Sequence, residues 1–221
     1  MNRRGNRRSQ AHRRPESRSS RQRKMTTVLI VCEGIETEPN YFEDLKREDV
    51  VLKELSIKVV PGHGGSRQQI VQRAVNLKHR SHVDYDEVWC VMDTERLNNV
   101  ETRQDYRAAL KIAADHGIQM ALSNPAFEVW LLAHFVRTSR TFNDCDAIIV
   151  DLNKHWNRQF QREYEKSDPQ IYSRLAGLLT AGLENSRSVR EQDHADQPDI
   201  ADCNSSTEVY RLIRRLVLNA S

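Results

Sequence analysis

From residue 26 onward the apolar positions follow two rhythms, and the switches between them mark out the elements. Residues 26–32, TTVLIVC, form a continuous apolar run rich in β-branched side chains, the pattern of a strand buried on both faces. Order is expected to begin at about Met25. In the following EGIETEPNYFEDLKRE, Thr37 is placed to cap a helix, with Pro39 close behind and Tyr41, Phe42 and Leu45 on one side. LSIKVV reads as a second strand, broken by PGHGG. From Ser66, RQQIVQRAVNLKHR sets Ile70, Val71, Ala74, Val75 and Leu77 at helical spacing before DEVWCVMD returns to a strand pattern. A helix over about 100–116 closes at Gly117, and IQMALS supplies a fourth strand. Asn124-Pro125 then turns the chain into the apolar helix AFEVWLLAHFV. Strands at 27–32, 55–60, 87–92 and 118–122, alternating with helices, predict an α/β fold with an open parallel sheet and right-handed crossovers.

Beyond Arg137 the strand signals disappear. Ile148, Ile149, Leu152 and Trp156 recur at helical spacing, as do Ile171, Leu175, Leu178, Leu179 and Leu183. Residues 186–202 read as loop or weak helix, and STEVYRLIRRLVL as an amphipathic helix capped by Ser206 or Thr207. The expected organisation is a disordered basic arm (1–24), an α/β domain (25–136) and a C-terminal helical region (137–221) packed on the core. No internal repeat is visible.

A length of 221 residues suits one main core with additions. At 38% hydrophobic and 29% charged residues, the composition fits a soluble globular protein. No apolar run approaches the roughly 20 residues needed to cross a bilayer, so no membrane partner is expected. The net charge of +3 hides an asymmetry, because residues 1–24 carry ten Lys/Arg against Glu16 alone and the remainder is net acidic. Such an arm attracts phosphate by releasing counterions; its bland reading is a solvated tail. It lacks the apolar residues of a transit or secretory signal. Cys32, Cys90, Cys145 and Cys203 are widely spaced without a Cys-x-x-Cys pair, so the reducing cytoplasm is the expected compartment.

In an open parallel sheet, ligands bind beyond the carboxyl ends of the strands. Glu33-Gly34 follow the first strand, Asp93 and Glu95 the third, and Glu128 stands in the first turn of the helix after the fourth. Residues i and i+2 of an extended segment point the same way, so Asp93 and Glu95 present two oxygens to one cation. Hard oxygen donors without paired Cys/His suit Mg²⁺ or Mn²⁺, which polarises a phosphoryl oxygen and activates water. Glu33 is the best general acid/base. Singly, each acid reads as a solvated turn or a cap, and Glu128 as a partner of the helix dipole; acids at three successive strand ends make the case together. The candidate substrate contacts are Gly34, His63, Arg67 and Arg96. His63 lies in the loop Pro61-Gly62-His63-Gly64-Gly65-Ser66, whose backbone N–H groups precede a helix N-terminus; it matches no Walker pattern, and a plain turn is favoured. Glu36 and Glu38 read as acids of a helix N-terminus, with Glu36 facing the metal as the minor alternative, and Trp130 and His134 as packing residues.

The blocks VCEGIETEPNYF, VWCVMDTE and SNPAFEVWLLAHF, in this order, resemble the RloB family and, more distantly, the Toprim domains of topoisomerases, primases and OLD-type nucleases. The resemblance implies a Toprim-like fold in which Glu33 matches the Toprim glutamate. Asp93 matches the first acid of the Asp-x-Asp motif, and Glu128 the acid of the Asn-Pro-x-Phe-Glu block. Glu95 departs from the usual Asp. The implied function is a metal-dependent nucleic-acid phosphodiesterase in defence against phage or foreign nucleic acid, often beside an ABC/SMC-like ATPase. A homo-oligomer is compatible with it, and DNA and RNA both stay open as substrates. The alternative is a noncatalytic nucleic-acid- or ATPase-binding regulatory subunit on the same scaffold. A receiver-like phosphoacceptor ranks third, since it wants paired acids after strand one and a lysine after a fifth strand.

Overall fold

The computed structural model describes residues 25–49, 52, 55–95, 97 and 99–217. The expected arm at 1–24 and the candidate contact Arg96 lie outside the described residues. The α/β half runs β1 (Thr26–Cys32), α1 (Thr37–Glu48), β2 (Leu55–Val60), α2 (Arg67–Arg80), β3 (Glu87–Asp93), α3 (Val100–Asp115) and β4 (Gln119–Asn124). The four strands are parallel in the order β2-β1-β3-β4. Because the chain moves from β1 outward to β2 and then crosses back to β3, the strand order reverses between β1 and β3. That is where such a sheet opens a crevice at its carboxyl edge. This is the open parallel sheet that the alternating pattern predicts and the Toprim-like architecture that the resemblance implies.

Side chains alternate across the pleat, so each central strand feeds two cores. Val28, Ile30 and Cys32 of β1, with Trp89 and Val91 of β3, pack on one face against Tyr41, Phe42, Phe127, Trp130 and the C-terminal helices. Leu29, Val31, Cys90 and Met92 face the other way, onto Val71 and Ala74 of α2 and Tyr106 and Ala109 of α3. The C-terminal region supplies α4 (Glu128–Ala133), α5 (Cys145–Phe160), α6 (Ile171–Leu175), α7 (Leu179–Ser188) and α8 (Val209–Val217). Asp144 caps α5 by accepting from the Ala147 amide, and Gln161, in the left-handed region at φ 55°, ends it. The stretch read as loop or weak helix continues α7 into a π-helical turn, Val189–Asp193, and a short 3₁₀ turn, Ile200–Asp202. Among the described residues, no helix is long and apolar enough to cross a membrane.

Three local expectations are corrected. A fifth strand, β5 (Ser206–Thr207), pairs antiparallel with β4 through Ser123↔Thr207 and Asn124↔Ser206, where no strand was expected. Two residues are too few to carry a period, and the pairing is fixed instead by the Ser123–Thr207 hydroxyl contact at 2.8 Å and by the Glu208 amide donating to Leu122 O at 2.7 Å. Thr207 keeps a capping contact, accepting from the Val209 amide at 3.2 Å. Thr37 does not cap α1: Glu36 holds the cap position without a side-chain hydrogen bond, and Thr37 turns its hydroxyl inward. Finally, β3 extends to Asp93, and β4 is displaced to 119–124 because Ser123 pairs with Asp93.

Candidate active site

The buried strand β1 ends at Cys32, and Glu33 leaves it with its amide donating to Val91 O at 2.9 Å. Its carboxylate Oε2 accepts from the Asp93 amide at 2.9 Å, tying the ends of β1 and β3 together. The turn after Glu33 is pressed against the loop after β2. Gly62 donates its amide to Gly34 O at 2.8 Å, and a Cβ at position 62 would lie 1.7 Å from Glu33 O. Gly34 is confined in turn by Glu38, whose Oε1 accepts from its amide at 3.0 Å. A Cβ at Gly34 would lie 2.3 Å from that carboxylate.

Beyond β3 the chain is held from behind. The Thr94 amide donates to Ser123 O at 2.8 Å, and the Glu95 amide to Pro125 O at 3.0 Å. Arg67 donates from its guanidinium to Asp93 O at 3.2 Å and Glu95 O at 2.7 Å, so it braces the backbone that carries both acids. The start of α2, where a plain turn was favoured over a phosphate site, receives an acid of this chain. The Arg67 and Gln68 amides donate to the Asp105 carboxylate at 2.9 and 3.3 Å, while Ser66 and Gln69 close a capping box. Partial burial opposes ionisation of Asp105, but these hydrogen bonds outweigh it and hold the carboxyl below its usual range. His63 is exposed, contacts Arg73 at 2.8 Å, and does not line the acidic cleft.

Glu128 is only 2% exposed, at the first position of α4. Thr37 and Tyr164 donate hydroxyls to its Oε1 at 3.4 and 3.1 Å, and the Cys145 thiol donates to Oε2 at 3.1 Å. Lys166 Nζ lies 3.5 Å from Oε1 and 3.2 Å from Cys145 Sγ. Burial works against the charge of Lys166, but Glu128 and Cys145 outweigh it and raise its pKa. Glu128 therefore does more than meet a helix dipole. It joins α1, α4, α5 and the connection from α5 to α6.

Glu33, Glu36, Glu38, Asp93, Glu95 and Glu128 line one open cleft of about 280 Å³, with Gly34 at its edge and Lys166 beside Glu128. Burial, then the charges of Glu38, Glu33, Glu128 and Glu95, push the Asp93 carboxyl well above the usual range. Burial also raises Glu33, against the Asp93 amide and the Arg67 charge that favour its ionised form. For Glu38, burial with the nearby Glu128 and Glu33 prevails over two backbone hydrogen bonds and lifts the pKa to about 7. Glu38 keeps its expected place in the first turn of α1, but its part in the cleft, like the parts of Tyr164 and Lys166, escaped sequence reading. An acid in a first helical turn is commonplace, and Tyr-x-Lys in a polar stretch carries no chemical signature.

Crowded carboxylates favour a cation or protons, and an all-oxygen donor set fits Mg²⁺ or Mn²⁺. Among the described residues, no three His, Cys, Asp or Glu side chains form a ready-made metal cage. One oxygen of Glu33 is engaged by the Asp93 amide, and Glu128 by its neighbours. The fit is thus one of donor chemistry, with the acids gathered around a shared opening.

Comparisons with curated proteins and with solved structures return no match. The profile of the RloB-like protein family matches residues 28–216, a span that runs from within β1 to within α8 and holds every acid of the cleft. The chain belongs to the RloB-like family.

Proposed function

We propose that this chain is a metal-dependent nucleic-acid phosphodiesterase acting in defence against phage or other foreign nucleic acid. One observation carries the reading: acids from three successive strand ends face one cleft where the strand order reverses. Asp93 is the central ligand proposed for Mg²⁺ or Mn²⁺, with Glu95 and Glu128 flanking it and Glu33 less committed to the ion. When bound, the ion supplies Lewis-acid polarisation of a phosphoryl oxygen and lowers the pKa of water.

The chain's own residues do the rest. In hydrolysis the water oxygen bonds to phosphorus, one P–O ester bond breaks, and a proton passes to the leaving oxygen. Glu33, at the end of β1 and hydrogen-bonded to the Asp93 amide, is the group placed to hold or return that proton. Arg67 keeps Asp93 and Glu95 in place from behind the strand ends, a positioning role. The charge of residues 1–24 favours sequence-independent attachment to nucleic acid, and family resemblance points to an ATPase partner in the cytoplasm.

A second reading, a noncatalytic nucleic-acid- or ATPase-binding subunit, draws support from the lack of a ready-made three-acid cage among the described residues and from Glu95 in place of Asp. Incubating purified protein with DNA and RNA pools in Mg²⁺ and Mn²⁺, with and without the ATPase, separates the two. Wild type is expected to cleave one pool, and folded Glu33→Gln and Asp93→Asn variants to leave it intact. Binding without cleavage under every condition would favour the second reading, and full activity in either variant would refute the site.

A further inference from the structure

We propose that Lys166, delivered by the C-terminal helical region, is the phosphate contact of this cleft: its ammonium donates to a non-bridging oxygen of the scissile phosphodiester and offsets the negative charge that builds there. The inference deepens the phosphodiesterase reading and rests on it.

The first argument is electrostatic. Six carboxylates line the cleft, and among the described residues that line it Lys166 is the one cation. A polyanion entering such a site meets repulsion from the acids, and a positive group inside the cleft is the feature that draws the phosphate in. The second argument is position. Nζ stands 3.5 Å from Glu128 Oε1 at the cleft wall, while the side chain keeps 45% of its surface exposed. It therefore has room to meet a ligand without leaving its neighbours. Turning toward phosphate would not strip Glu128 of partners, because Thr37, Tyr164 and Cys145 continue to donate to it.

The third argument is construction. Residues 161–170 have little regular structure, yet they are braced at several points. The Tyr164 amide donates to Asn153 Oδ1 at 2.7 Å, and Lys166 O accepts from Asn40 Nδ2 at 3.3 Å. Asp168 accepts from the Gln170 amide at 2.9 Å and from Arg174 Nε at 2.8 Å. Tyr164 and Lys166, two apart in the chain, both reach Glu128. The reaction needs no proton from Lys166; the ammonium stays charged and orients the phosphate as a point charge.

The test compares wild type, Lys166→Gln and Lys166→Arg in two assays, with thermal melting to check folding. Single-turnover cleavage of a labelled oligonucleotide is measured in Mg²⁺ or Mn²⁺, and its binding is followed by anisotropy in Ca²⁺ over a range of salt. Lys166→Gln is expected to slow cleavage by roughly 10²–10³-fold while Lys166→Arg stays within about tenfold of wild type. Binding to Lys166→Gln is expected to weaken, with the salt slope smaller by about one. Wild-type cleavage and binding in Lys166→Gln would overturn the assignment and leave the phosphodiesterase reading standing. If wild type binds but does not cleave, that reading fails, and the salt slope alone decides for or against Lys166. Equal loss in both variants together with a lowered melting temperature would assign Lys166 a structural role and overturn the proposal.

Discussion

Glu38 shows how one buried acid links stability to proton binding. Its carboxyl is 5% exposed in the first turn of α1 and has a pKa of about 7, against the ordinary 4.5. The folded state therefore binds more protons than the unfolded chain between those values, and linkage makes stability fall as pH rises through that window. Asp93 and Glu33, also raised, act in the same direction. Metal-free protein is expected to lose melting temperature between pH 5 and pH 8, and Glu38→Gln to lose less over the same range. Parallel pH profiles for the two proteins would contradict this account of Glu38. The placement of Glu33, Asp93 and Glu128 at one edge of the sheet was legible in sequence because each stands at or beyond the carboxyl end of a strand whose pattern is plain. Glu38 was not, since only the folded turn at Gly34 shows that its side chain bends back into the cleft rather than toward solvent. Lys166 was invisible for a different reason: its meaning comes from contact with Glu128, 38 positions earlier in the chain.

Among the elements, the connections after the strands place the site, and they depend on close backbone approach. Gly62 and Gly64 belong to one loop but answer to different constraints. Gly64 has φ 74° with open space around it, whereas a Cβ on Gly62 would collide with the backbone of Glu33. Backbone atoms cannot rotate aside as a side-chain tip does. Gly62→Ala is therefore expected to cost about 1–3 kcal/mol in denaturant unfolding and to weaken metal-dependent activity, since relief requires moving Glu33. Unchanged stability and activity would show that the two loops are not pressed together as described. The PGHGG run announced a turn but not its partner, because local composition reports conformation and not which strand end lies alongside. The short β5 was illegible for a related reason: two residues follow the register of β4 rather than any rhythm of their own.

At the scale of the molecule, the C-terminal helices complete both the core and the cleft. Leu152, Trp156, Tyr172 and Ile213 pack in the same cluster as Val28 and Ile30 of β1, and Tyr164 and Lys166 reach the acid that begins α4. The helical spacing of the second half was readable, but the side chains it sends into the site could be found only by folding it back onto the sheet. What results is an acidic opening at the crossover of an open sheet, whose charge, on the proposed reading, is relieved by protons or by a hard cation. Calorimetric titration of Mn²⁺ into metal-free wild type and into folded Asp93→Asn at pH 8 tests that claim most directly. Wild type is expected to bind, with affinity lowered at least about tenfold, roughly 1.4 kcal/mol, by the substitution. Identical Mn²⁺ binding in the two proteins, or none in either, would contradict it.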